Sequence, residues 1–106
     1  MGLDGHRILV VDDKAEFART LKKAIEQVGG EAVVAKNPQT ALTDAKSVGF
    51  SAALMRVDYS ALVRALGIPV VVYGPEPPPC LVTYVATPAQ PEQLVAALER
   101  LLVVRR

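Results

Sequence analysis

The 106 residues suffice for one compact domain with a core and are too few for two, and 51% apolar against 22% charged residues excludes a disordered chain. Twelve basic residues nearly balance eleven acidic ones, a formal charge of +1, so no whole-domain field exists to attract a nucleic-acid polymer or a membrane surface. One cysteine and one histidine exclude an internal disulfide and an ordinary Cys/His zinc site, and the apolar runs fall far short of the roughly 20 residues that span a bilayer.

The expected compartment is therefore the cytosol. Residues 1–6 read as a disordered start with His6 exposed, 7–102 as the domain, and 103–106 as a tail or the start of a linker. Arg7 to Asp13 (RILVVDD) is a β-branched run closed by two carboxylates, the pattern of a strand buried on both faces in a parallel sheet. A helix follows: Asp13 is placed to cap it, Glu16 stands three residues on as in a capping box, and Phe17, Leu21, Ala24, Ile25 and Val28 recur at helical spacing until Gly29 and Gly30.

Glu31 to Lys36 predicts a second strand. Asn37 as cap and Pro38 at the first helical position then start a helix with Leu42, Ala45 and Val48 inward. Ser51 to Val57 (SAALMRV) reads as a third buried strand, and Ser60 to Leu66 leaves room for about two helical turns, with Leu62, Val63 and Leu66 inward. Pro69 to Tyr73 is a fourth strand. The following Gly74 to Cys80 (GPEPPPC) can be neither regular helix nor central strand, because its prolines lack amide donors and restrain their neighbours. Leu81 to Thr87 is a fifth strand, and Leu94, Ala97, Leu98, Leu101 and Leu102 mark a closing helix after Pro91. Strands alternating with helices predict a parallel sheet covered on both faces, with chemistry at the carboxyl ends of its strands.

RILVVDD followed by an amphipathic helix resembles the opening of response-regulator receiver domains. FSAALMRV stands where that family's third strand ends in the phosphoacceptor aspartate, and the corresponding residue here is Arg56. IPVVVYG resembles the fourth strand with its terminal Thr or Ser, which is Gly74, and YVATP resembles the fifth with its Lys-Pro pair, which is Thr87-Pro88. The resemblance covers Arg7 to Leu102. It implies an α/β fold, a doubly wound five-stranded parallel sheet in the receiver (flavodoxin-like) order. The intervals from Arg56 to Gly74 and from Gly74 to Thr87 are shorter than receivers show, which implies a shortened third helix and a fourth replaced by the proline-rich loop.

The same resemblance implies a non-enzymatic pseudoreceiver of a bacterial-type signalling protein, such as a hybrid histidine kinase. Such a domain controls a neighbouring kinase or output domain by docking; its partners are kinase or receiver domains of the same chain, or a partner signalling protein. Receiver phosphotransfer needs a carboxylate nucleophile, a divalent cation held by acidic residues, and a hydroxyl and an ammonium for the phosphoryl oxygens. Only the acidic pair Asp12 and Asp13 remains. A guanidinium cannot attack phosphorus, and it repels Mg²⁺ from that pair. Arg56 is therefore expected to neutralise a degenerate acidic pocket of Asp12 and Asp13 that holds no metal.

The expected ligand site is Arg56, Tyr73, Gly74 and Pro75, with cyclic di-GMP as the ligand class: arginine reads guanine edges, and aromatic and proline faces stack on bases. Tyr73 reads equally as a core residue with its hydroxyl at the rim, and the loop Pro75 to Pro79 equally as a stiff bridge. Cys80 reads as a small semi-buried residue. No resident cofactor is expected. Two other readings stay open: a purely structural or dimerisation module, and an atypical phosphorylatable receiver using Asp58.

Overall fold

The structure, a computed structural model, describes residues 2–104, with side chains up to Leu102. Ten elements follow one another: β1 (Arg7–Val11), α1 (Ala15–Gln27), β2 (Glu31–Ala35), α2 (Pro38–Ser47), β3 (Ala52–Arg56), a 3-10 turn (Val57–Tyr59), α3 (Leu62–Leu66), β4 (Val70–Gly74), β5 (Thr83–Ala86) and α4 (Pro91–Val104). All strand pairs are parallel, in the order β2-β1-β3-β4-β5. This is the flavodoxin-like order expected above, and every connection between paired strands is a crossover.

The period-2 alternation of each strand divides the core into two clusters. Ile8, Val10, Leu54, Val71 and Tyr73 face α1 and α4, where Ala18, Leu21, Ile25, Leu94, Val95, Ala97 and Leu98 cover them. Leu9, Val11, Ala53, Met55, Val70 and Val72 face the other way, under Ala41 of α2 and Leu62 of α3. Each fully buried Leu, Ile or Val contributes about 1.5 to 3 kcal/mol relative to exposure, so both layers stabilise the sheet heavily.

The Asn37 cap is made: its side chain accepts the Thr40 N–H at 2.8 Å, with Pro38 behind it. Several expectations change. Asp13 does not cap α1, whose N-cap residue Lys14 has no side-chain cap; Asp12 takes the turn instead. Val48 lies beyond the end of α2 and is exposed, so only Ala41 of that helix is fully buried. Residues 2–6, expected as part of a disordered start, are placed against the domain. Residues 2–5 form a turn, Leu3 is completely buried, and its N–H donates to the Val28 carbonyl at 3.0 Å. Burial of this one leucine in the core cluster on the α1 and α4 side outweighs the polar residues around it. His6 is half-buried, with Nδ1 2.9 Å from Ser51 Oγ.

The third helix is short, and residues 75–82 join β4 to β5 with no helix. Cys80 is exposed rather than semi-buried, because this loop stands away from the sheet; Leu81 beside it is fully exposed. β5 is shorter than the sequence suggests and only half-covered, as suits an edge strand. The expected boundary at Leu102 falls inside α4, which continues to Val104, while Met1, Arg105 and Arg106 lie outside the described residues. No helix among the described residues is long and apolar enough to cross a membrane.

Candidate functional site

The register brings the carboxyl ends of β1, β3 and β4 together, with Arg56 directly opposite Tyr73. Immediately after β1 the chain turns at Asp12, whose Oδ1 accepts the Lys14 N–H at 2.8 Å. This side chain-to-backbone turn redirects the chain from strand to helix. It also fixes a carboxylate that is only 1% exposed.

Burial of a carboxylate demands donors, and Asp12 has them on both oxygens. The Tyr73 hydroxyl donates to Oδ2 at 2.6 Å, and an Arg56 terminal nitrogen lies 3.5 Å from Oδ1. The same nitrogen donates to Asp13 Oδ1 at 3.0 Å, and the other terminal nitrogen donates to Asp58 Oδ2. Arg56 thus sits among three carboxylates, one buried and two about half-exposed. Its guanidinium is held above the ordinary arginine value, first by the hydrogen bond to Asp58, with desolvation opposing and the charges of Asp58, Asp12 and Asp13 reinforcing.

Tyr73 belongs to the core. It is 1% exposed, shares the parity of Val71, and its ring meets Phe17 edge-on at 5.7 Å and 60°. Burial, then the hydrogen bond to Asp12 and that carboxylate's charge, push its phenol far above the usual tyrosine range. A ring so enclosed presents no face on which a base can stack, which corrects the expectation for this residue. Its strand position placed it near the rim, but strand parity turns it inward.

Gly74 is buried as well, and its carbonyl accepts from the Tyr84 hydroxyl at 2.6 Å and the Thr87 N–H at 2.9 Å. A Cβ on Gly74 would lie 2.4 Å from Val57 Cγ1, so this position has no room for a side chain unless the turn after β3 moves. Its glycine serves the close approach of that turn rather than a ligand. Pro75 is exposed at the mouth of a cavity of about 530 Å³, whose walls include Lys14, Phe17, Arg56, Asp58 and Thr87. Arg56 and Pro75 therefore meet at one cavity, as expected, while Tyr73 and Gly74 form its floor. Sequence reasoning missed Phe17 and Lys14 as wall residues and Asp58 as a partner of Arg56. Helical spacing alone assigned Phe17 to the core, and Asp58, two residues beyond a strand-end arginine, was the available signal for a local ion pair.

Among the described residues no cluster of three His, Cys, Asp or Glu side chains is placed to hold a metal ion. No family model matches the sequence, and no curated protein matches it. Solved structures do. Chemotaxis protein CheY4 of Vibrio cholerae superposes with a TM-score of 0.77 at 18% identity, over 92% of this chain and 98% of that one.

The fold is the receiver fold. The receiver domain of the Francisella response regulator 1452 matches with a TM-score of 0.81 at 16% identity, over 96% of this chain and all (100%) of that one. The receiver domain of the hybrid histidine kinase CckA matches at 0.77 and 20% identity, over 91% and 98%. At the carboxyl end of β3 of this fold stands Arg56, bound by Asp12, Asp13 and Asp58.

Proposed function

We propose that this chain is a pseudoreceiver: a non-enzymatic regulatory domain that accepts no phosphoryl group and acts on neighbouring signalling domains by docking. The observation that carries the reading is the Arg56 network. A guanidinium at the end of β3 has no lone pair with which to attack phosphorus and stays protonated at any working pH. Both Asp12 oxygens accept from internal donors and the Arg56 guanidinium lies 3.5 Å from Oδ1, so a divalent cation would have to compete with that fixed positive charge. Asp58 is a poor substitute nucleophile because it already accepts from Arg56.

Intact-mass measurement after incubation with acetyl phosphate and Mg²⁺ tests this reading, alongside a thermal shift with Mg²⁺ and beryllofluoride. The expected result is no phosphoryl adduct and no stabilisation. A base-labile adduct on Asp58 or Asp13 overturns it.

The cavity beside Arg56 favours a second element of the reading, a cyclic dinucleotide such as cyclic di-GMP as regulating ligand. Its walls offer a guanidinium, an ammonium and the apolar surfaces of Phe17 and Pro75. Calorimetric titration with cyclic di-GMP checks it. Phe17→Ala should weaken binding by about 1 to 3 kcal/mol per stacked base; no heat at near-millimolar ligand leaves a docking module without this ligand.

A further inference from the structure

On another side of α1 the chain carries a different combination of charge and shape. A cavity of about 330 Å³ opens between α1 and the carboxyl end of β2. Ala15 and Ala18 of α1 and Val34 of β2 line it, and these small side chains keep its floor low. Arg19, Lys22 and Lys36 stand around it. Arg19 and Lys22 are three residues apart on one helix face, and Lys36 stands at the position immediately after β2.

The charges at this cavity are not balanced from within the protein. Lys22 has one acidic partner, Glu26, at 3.9 Å, while the side chains of Arg19 and Lys36 carry no hydrogen bond or ion pair among the described residues. Asp12 touches the inner end of the cavity, but its carboxylate is buried and already engaged by Lys14, Tyr73 and Arg56. The whole chain has a net charge of only +1, so three cations converging here are a local concentration rather than a general excess. Such a convergence is repulsive in the empty protein and is relieved by a multiply charged anion.

We infer that this cavity binds a compact phosphoanion, with Arg19, Lys22 and Lys36 as its ligand-binding residues. The concave shape and a volume at the lower end of the range for small-molecule sites favour a small ligand over an extended acidic surface. Three cations match the two to four charges of a diphosphate better than the single charge of a carboxylate. The guanidinium supplies bidentate donors to phosphate oxygens, and the two ammonium groups act as point charges. The phosphate either is free pyrophosphate or is the tail of a nucleoside di- or triphosphate, whose remainder would lie over Ala15, Ala18 and Val34. This site is separate from the cavity at Arg56 and does not depend on the pseudoreceiver reading.

The test is a ¹⁵N NMR titration of the whole chain at low salt with inorganic pyrophosphate, with ATP, and with a glutamate-rich peptide. Saturable shifts confined to Ala15, Ala18, Arg19, Lys22, Val34 and Lys36 are expected with both phosphate compounds, weakening as salt is added. Tighter binding of ATP identifies the nucleotide as the source, and equal binding identifies the diphosphate alone; either supports the site. Arg19→Gln and Lys36→Gln are each expected to weaken binding about tenfold, the worth of one charge-assisted contact. Both side chains are exposed, so these variants keep the fold, and Lys46→Gln on α2 serves as the unaffected control. The inference is overturned by shifts that do not saturate at millimolar phosphate, by shifts spread over all surface lysines, by a glutamate peptide binding more tightly than either phosphate, or by Arg19→Gln and Lys36→Gln binding like the parent.

Discussion

The inner and outer halves of the Arg56 network use the same chemistry in opposite surroundings. Inside, Asp12 and the Tyr73 hydroxyl meet at 2.6 Å, with the carboxylate 1% exposed and the tyrosine likewise. Outside, Asp13 and Asp58 bind the guanidinium at similar distances with about half of each side chain in water. Water can replace either outer partner at little cost and has almost no access to the inner one, so stability should reside mainly in the inner pair. The outer pair holds the arginine in place.

Removing the inner carboxylate should give the largest effect. Asp12→Ala leaves a buried tyrosine hydroxyl and a partly buried guanidinium short of their acceptor, and is expected to cost about 3 kcal/mol in urea denaturation. A loss as small as that of a surface substitution would erase the distinction between the halves. Arg56→Ala should cost about 1 to 3 kcal/mol, because Asp12 keeps two donors but loses its compensating charge. Arg56→Asp should be worse at neutral pH and should recover when Mg²⁺ is added, since it gathers four carboxylates.

Tyr73→Phe keeps the ring against Phe17 and removes one donor, for an expected loss of about 1 to 2 kcal/mol. This variant also sharpens the comparison through pH. Because the folded phenol is raised, native and unfolded chains both keep its proton below about pH 10, and that stabilisation is fully present there. Above it only the unfolded chain ionises at this site, so stability falls as pH rises towards the folded value. The decline of the urea midpoint between about pH 9 and pH 11 should be shallower in Tyr73→Phe than in the parent. Asp58→Asn should be the mildest change, within about 0.5 kcal/mol, since its partner is readily solvated. A larger loss would move Asp58 into the inner class.

How much of this was legible depended on whether a residue's role is local. The five strands and the Asn37-Pro38 helix start are written in adjacent residues, and β-branched runs and caps act over a few positions. Leu3 was illegible because an isolated leucine among glycines and an aspartate has no periodic neighbour, and the Val28 carbonyl and the cluster containing Ile25 that hold it are distant in sequence. At the site, the pairing of Arg56 with Asp12 and Asp13 followed from strand ends meeting in a parallel sheet. The orientation of Tyr73 did not, although counting back two residues to Val71 would have assigned it to the α1 face. The fit of Val57 against Gly74 is a tertiary contact with no trace in either segment alone.

The stiff connection between β4 and β5 has a practical consequence. Its Cys80 is the chain's sole thiol and is exposed, so a maleimide dye can be attached at one defined position without disturbing the core. The loop begins at Pro75, on the rim of the Arg56 cavity, and prolines limit how far the dye can wander. Fluorescence anisotropy from that position turns a binding event at this end of the sheet into an optical signal, with unlabelled protein as competitor to show that the dye itself is not the ligand.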